Sequence, residues 1–192
     1  MTKNIIIQSD YWNGTECLAN GVPYQTPESI YKEDMLLRND DVVLEMGTGG
    51  STIFLSRRCK KVIAVETNYE WYQKLLKKIK ELGLTNIDLV YLNKQAELEK
   101  FIINCEENIT VFSVDTVHGY NRSKQLDCFL KINQIKNLLR VLILDNYGAP
   151  ELFPDHFENP EILPKSSGWE CFTFNDPRWC GHGTRIYSLT NL

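Results

Sequence analysis

Three groups of chemically capable residues recur along this chain, each just after a run of apolar residues. The first is Glu45-Met46-Gly47-Thr48-Gly49-Gly50-Ser51-Thr52. Glycines at such a place let the backbone pass close to a ligand, and a following helix offers unpaired N–H donors. Glu66 stands 17 residues beyond Gly49, where an acidic side chain can accept hydrogen bonds from the hydroxyls of a ribose. The second group is Asp115-Thr116-Val117-His118, and the third is Asp145-Asn146. Asp115, Asp145 and Asn146 together form an oxygen donor set of the kind Mg²⁺, Ca²⁺ or Mn²⁺ prefers. An ion held there would fix a substrate hydroxyl and lower its pKa. His118, with an ordinary pKa of about 6.5, suits a general base.

The glycine loop discriminates between ligands. Glu45 directly precedes the first glycine, where its carboxylate would repel a pyrophosphate and welcome an ammonium group. The frame Gly47-x-Gly49-x-x-Thr52 also lacks the third glycine of the dinucleotide fingerprint. Glu66 alone does not separate the two classes. Elsewhere, Cys180-Gly181-His182 resembles half a metal site, but no second pair at zinc spacing accompanies it. Arg178 and Trp179 suit either substrate contact or packing within their loop. Tyr24-Gln25-Thr26 is placed at the edge of the pocket, and Tyr69, Trp71 and Tyr72 follow Glu66 closely.

The elements that must position these residues follow from the alternation of short apolar runs with segments of helical period, the mark of a parallel sheet covered by helices. Thr26-Pro27-Glu28 reads as a capped helix start, with the helix running to about Arg38 and Asn39-Asp40-Asp41 as a turn. Strands are expected at 42–44, 62–65, 87–91, 109–114 and 141–144. A helix over 69–82 carries Trp71, Leu75, Ile79 and Leu82 on one face and stops at Gly83. A shorter helix is expected over 96–103, and another with Leu126, Phe129, Leu130 and the Ile135 region inward. Residues 146–167 read as a loop. The runs 169–174 and 184–189 are strands joined by too few residues for a helical crossover, so they must be antiparallel. The expected fold is an α/β Rossmann-like three-layer sandwich, its mostly parallel seven-stranded sheet ending in an antiparallel hairpin. One domain is expected over 1–192, with 1–25 an N-terminal extension and pocket edge and 26–192 the core.

Bulk properties narrow the function. The formal net charge is −4 and the pI about 5.5, which argues against non-specific nucleic-acid binding. Lys74, Lys77, Lys78 and Lys80 read as the solvated face of a helix. No Asn-Pro-Pro-Tyr or Asp-Pro-Pro-Tyr motif follows the fourth strand. No run approaches the ~20 apolar residues of a spanning helix, and Ile5-Ile6-Ile7 is too short for a signal sequence. Six cysteines without a Cys-x-x-Cys pair suit reduced thiols, so a cytoplasmic protein without membrane attachment is expected.

The runs VVLEMGTGGSTIFLS and VIAVETNYEWY resemble motifs I and II of the class I S-adenosylmethionine (SAM)-dependent methyltransferases, and the terminal hairpin is similar to theirs. The resemblance covers roughly 26–189. It implies that Glu45, Gly47, Gly49 and Ser51 surround the methionine part of SAM, that Glu66 holds the ribose, and that Asn93 lies near the adenine, with Asp115 bordering the cofactor. Asp115, Asp145 and Asn146 match the metal ligands of the O-methyltransferases of the catechol and caffeoyl-CoA type. His118 stands where that family has a basic catalytic residue. Asp-x-x-His and the Gly-Gly-Ser-Thr loop also resemble a broader set of class I enzymes. The departures are a glycine loop two residues shorter and a short region before Thr26. The implied function is methyl transfer from SAM to an oxygen of a small molecule or sugar, with Asp115 and His118 catalytic and Mg²⁺ or another divalent ion assisting. The alternatives are an NAD-dependent oxidoreductase and a cofactor-binding partner protein without transferase activity.

Overall fold

The computed structural model of the protein describes residues 13–117, 119–154, 162–163, 167–175 and 183–189, without the side chains of 134–136. Seven strands, β1 (Val42–Met46), β2 (Lys61–Glu66), β3 (Ile87–Tyr91), β4 (Val111–Val114), β5 (Val141–Leu144), β6 (Trp169–Phe174) and β7 (Thr184–Leu189), form one sheet in the order β3-β2-β1-β4-β5-β7-β6. Strands β1 to β5 pair in parallel. Strand β7 inserts antiparallel between β5 and β6, in register Leu144↔Arg185. The short link between β6 and β7 leaves no other arrangement.

The central strands are buried throughout and mostly apolar because both faces are covered. On one face, Met46, Phe112, Val114, Leu142 and Leu144 pack with α5 (Gln95–Ile103) and α6 (Arg122–Lys136). There Phe112 and Phe129 stack with ring centroids 4.0 Å apart. On the other face, Val43, Val62, Ala64 and Ile143 meet Ile30 of α2 (Pro27–Leu36) and Phe54 and Leu55 of α3 (Gly50–Ser56). Leu75 and Ile79 of α4 (Tyr69–Glu81) join Ile53 and Leu18. The alternation of strand residues thus builds three layers.

Local chemistry sets the ends. Thr26 caps α2 by accepting from the Ser29 N–H, and Pro27 takes the first helical position. The helix ends at Leu36, two residues before the expected Arg38, and Leu37 adopts extended backbone. Gly83 follows α4 at φ +63°. Leu82 caps that helix at 38% exposure and does not continue its apolar face. An additional helix, α1 (Gly14–Asn20), lies in the segment read as an extension. Asn13 and Glu16 form a capping box at its start, and Gly21 ends it in the left-handed conformation. The segment after β5 is less open than its polar composition suggests. Tyr147, Ala149, Leu152 and Phe153 are buried in the core, and the Leu152 carbonyl accepts from the Arg122 N–H at 3.0 Å.

The end of the sheet opposite the glycine loop is closed by Asp41, in the segment read as a plain turn. Its carboxylate accepts from the Thr110 hydroxyl at 2.8 Å and the Arg38 N–H at 2.7 Å, and it pairs with the buried Arg140 guanidinium. Its backbone carbonyl accepts from the Lys60 N–H at 2.9 Å. One 2% exposed residue therefore joins the starts of β1, β4 and β5 through its carboxylate and the start of β2 through its backbone carbonyl. Breaking such a pair strands a buried cation, so Asp41→Ala is expected to cost about 3–5 kcal/mol. For a domain of this size that lowers Tm by roughly 10 °C. Urea and thermal unfolding measure it; a loss below about 1 kcal/mol, the range of an exposed pair, would contradict this role.

Candidate active site

The glycine loop is shaped by what passes against it. At Gly47 (φ +90°) a Cβ would lie 2.2 Å from the Asp115 carbonyl oxygen, so only glycine lets the ends of β1 and β4 approach this closely. The Gly47 N–H donates to the Val65 carbonyl at 2.8 Å, and the Asp115 N–H donates to the Met46 carbonyl at 2.7 Å. At Gly50 a Cβ would meet the Val22 carbonyl oxygen at 2.0 Å, because α1 and its following turn lie over the start of α3. The Trp71 indole N–H donates to the Thr48 carbonyl at 2.8 Å and holds the loop from the α4 side. Trp71, expected in the helix core, is therefore also a cleft residue.

These contacts enclose a cleft of about 270 Å³ bordered by Gly47 to Ser51, Glu66, Asn68, Trp71, Asp115 and Val117, with Gly14, Cys17 and Tyr24 of the N-terminal segment opposite. Two carboxylates face it and no lysine or arginine lines it among the described residues.

Glu66 ends β2 with its carboxylate saturated by protein donors. One oxygen accepts the N–H groups of Thr67 and Asn68, each at 2.7 Å. The other accepts the Thr48 N–H at 3.2 Å and the Thr48 hydroxyl. Glu45 lies beneath the loop, 1% exposed, and accepts from the Ser51 hydroxyl at 2.6 Å and the Thr52 hydroxyl at 2.7 Å. Burial pushes its carboxyl up to about 8 against the pull of those two hydroxyls, and the charges of Asp115 and Glu66 add to the rise.

At the ends of β4 and β5, Asp115 and Asp145 stand within hydrogen-bonding reach of one another. Asp145, 5% exposed, also accepts from the Thr184 hydroxyl at 2.7 Å. Asp115 has a half-exposed side chain that opens on the cleft. Loss of hydration raises both carboxyls; the charge of Asp115 adds to the rise at Asp145, whereas Arg122 opposes it at Asp115. Asn146 turns the chain with left-handed backbone at φ 51°. The two acids of the expected metal set are thus brought together at the end of the cleft. Among the described residues, no three His, Cys, Asp or Glu side chains converge as metal ligands do. His118, Cys180, His182, Arg178 and Trp179 lie outside the described residues.

Asn93 is exposed at the end of β3 and does not border the cleft itself; its carbonyl accepts from the Tyr120 hydroxyl at 2.9 Å. Tyr120 lies beside Thr67, Glu66 and Tyr91, and so connects the segment after β4 with the Glu66 end of the cleft. Three further groups were not singled out by sequence reasoning. Tyr120 stands two residues beyond His118 and carries no motif of its own. Glu33 of α2 is 2% exposed with one carboxylate oxygen unpartnered, and burial and Asp145 hold its pKa well above the usual range. Its signal was an inverted helix, with Tyr31 and Met35 outward and an acid inward. Arg122 begins α6, where the helix dipole disfavours a cation; a broken local rule of this kind marks a functional or strained position.

No protein-family model matches the sequence, and no curated protein matches it significantly. Solved structures do match the fold. An O-methyltransferase from Bacillus cereus, in complex with S-adenosylhomocysteine (SAH), superposes with a TM-score of 0.64 at 17% identity, covering 96% of this chain and 93% of that one. The O-methyltransferase TomG from Streptomyces achromogenes, in complex with SAM, gives 0.61 at 15% identity, covering 97% and 93%. An rRNA methylase from Streptococcus thermophilus gives 0.56 at 15% identity, covering 86% and 96%. With its β7 reversed between β5 and β6, its glycine loop after β1 and its acid at the end of β2, this chain has the fold of the class I SAM-dependent methyltransferases.

Proposed function

We propose that the protein is a SAM-dependent methyltransferase acting on an oxygen of a small molecule or sugar. The observation that carries this reading is the charge of the cleft: Glu66 and Asp115 border it, Glu45 lies beneath it, and no basic side chain of the described residues lines it. A pyrophosphate would meet these acids with no basic side chain to offset them, which disfavours a nicotinamide dinucleotide, whereas a ligand carrying a sulfonium and an ammonium is attracted. The structural neighbours crystallised with SAM or SAH support the same choice.

In this reading Glu66 accepts from the ribose, Gly47, Gly49 and Ser51 border the methionine part, and Asn93 and Tyr120 close the adenine end. Bound there, SAM supplies a methyl group open to in-line attack. Asp115 faces the acceptor end and takes the proton that the acceptor hydroxyl loses, with His118 as the second candidate base. The oxygen acceptor rests on this carboxylate pair and on the O-methyltransferases among the neighbours. A divalent ion, if bound, would be held by Asp115, Asp145 and Asn146 and would lower the pKa of that hydroxyl.

Protection from thermal unfolding by SAH and not by NAD tests the cofactor. Release of SAH with hydroxyl-bearing small molecules, with sugars and with ribosomal RNA then tests the acceptor; turnover of RNA alone would replace the small-molecule reading.

Two further outcomes follow from the cleft. Thr48 occupies the Glu66 oxygen that a ribose hydroxyl needs, so the protein donor must yield when the cofactor binds. Glu66→Ala should weaken SAH binding by roughly 10–100-fold, the worth of hydrogen bonds to a charged group. Thr48→Ala should leave affinity unchanged or tighter; calorimetric weakening by Thr48→Ala equal to that of Glu66→Ala would refute the competition.

The second outcome concerns pH. Glu45 has a folded pKa of about 8 against an ordinary 4.5. Its contribution to stability is therefore full below about 4.5 and is lost as pH rises towards 8. A cationic ligand favours the ionised form, so its binding expels a proton. SAM affinity should rise between pH 6 and 8 by up to about ten-fold per pH unit. Calorimetry in buffers of different ionisation enthalpy should show proton release near pH 7, reduced in Glu45→Gln. An affinity flat across that range would remove Glu45 from cofactor binding.

A further inference from the structure

We infer that Arg122, rather than a divalent ion, is the resident cation of the Asp115–Asp145 pair, and that it acts as a positioning residue for Asp115 at the acceptor end of the cleft. The role at the acceptor end rests on the methyltransferase reading, whereas the pairing itself holds for any ligand of the cleft.

Arg122 is 3% exposed, and its guanidinium spends its donors on the two loops that carry the acids. Nε donates to the Thr116 carbonyl at 2.7 Å, and Nη1 donates to the Asp145 carbonyl at 2.6 Å. Nη2 donates to the Thr116 carbonyl and lies 3.0 Å from Asp115 Oδ1. The plane stands over the Phe153 ring, 5.8 Å from its centroid. This fork geometry suits guanidinium and not ammonium, and it ties the end of β4, the end of β5 and the start of α6 to one rigid group.

A positive charge therefore already sits against the pair: the guanidinium lies 3.0 Å from Asp115 Oδ1 and is held there by the Thr116 and Asp145 carbonyls. A divalent ion between Asp115 and Asp145 would lie beside a buried fixed cation and be repelled by it. Thr184 already fills one oxygen of Asp145 and Arg122 one oxygen of Asp115. That leaves the open side of Asp115 facing the cleft, where a base must face its substrate.

Electron paramagnetic resonance of Mn²⁺ tests the inference, with SAH binding to the same preparations measured in parallel. Wild-type protein should leave the free-ion signal unchanged, whereas Arg122→Met should take up one Mn²⁺ per chain and lose it again when Asp145→Asn is added. Arg122→Lys, which keeps a positive charge, should exclude the ion as wild type does. Stoichiometric Mn²⁺ binding by wild type that Asp145→Asn abolishes would overturn the inference. So would a folded, SAH-binding Arg122→Met that still excludes Mn²⁺. If Arg122→Met does not fold, the wild-type titration decides by itself: no uptake, or uptake indifferent to Asp145→Asn, supports the assignment. Failure of wild type to bind SAH would sink the methyltransferase reading and leave the Mn²⁺ result standing.

Discussion

The approach of β1 to the end of β4 sets the geometry of this protein. A side chain at position 47 would stand 2.2 Å from the Asp115 carbonyl, so the two strand ends can meet only through a glycine. Because they meet, Asp115 borders the same cleft as Glu66 and Thr48. Two neighbouring contacts extend the constraint. The Gly47 N–H is bonded to Val65 at the end of β2, and Gly50 lies so close to Val22 that α1 must close over the loop. The ligand end of the sheet is therefore a set of backbone contacts in which the glycines matter for the space they leave.

Charge is the second organising quantity. Glu33, Glu45, Asp115 and Asp145 gather on one side of the sheet, at the carboxyl ends of β1, β4 and β5 and on the α2 that covers them. Gathering four carboxylates, three of them buried, would be costly if all were ionised. The protein answers with carboxyls whose pKa burial raises, with the hydroxyls of Ser51, Thr52 and Thr184, and with the buried guanidinium of Arg122. The opposite end of the sheet handles a buried acid differently, pairing Asp41 with Arg140 in a closed structural network. The two ends differ in purpose: one binds strands together, and the other leaves an acid facing an open cleft.

Much of this is legible in the amino-acid sequence. The strand positions, the capped start at Thr26, the stop at Gly83 and the antiparallel closure all followed from periodicity, turn chemistry and loop length. Two further local signals stand in the sequence. The capping box Asn13-Gly14-Thr15-Glu16 with Gly21 announces α1, and a cation at the start of α6 announces Arg122. Asp41 looked like an ordinary turn residue because its partners, Thr110 and Arg140, lie 69 and 99 positions away. The early part of the 146–167 segment read as loop because its buried side chains, Tyr147, Leu152 and Phe153, follow no period.

By itself the sequence determined the architecture, the place of the glycine loop, and the acids at four strand ends, because those depend on local spacing and on the period of apolar residues. Only the tertiary structure decided what those acids face. It put Glu45 beneath the loop under two hydroxyls, filled Glu66 with Thr48, and set Arg122 against Asp115 and Asp145. The reason is physical: a carboxylate's charge state and availability depend on burial and on partners from distant strands, which no local pattern encodes.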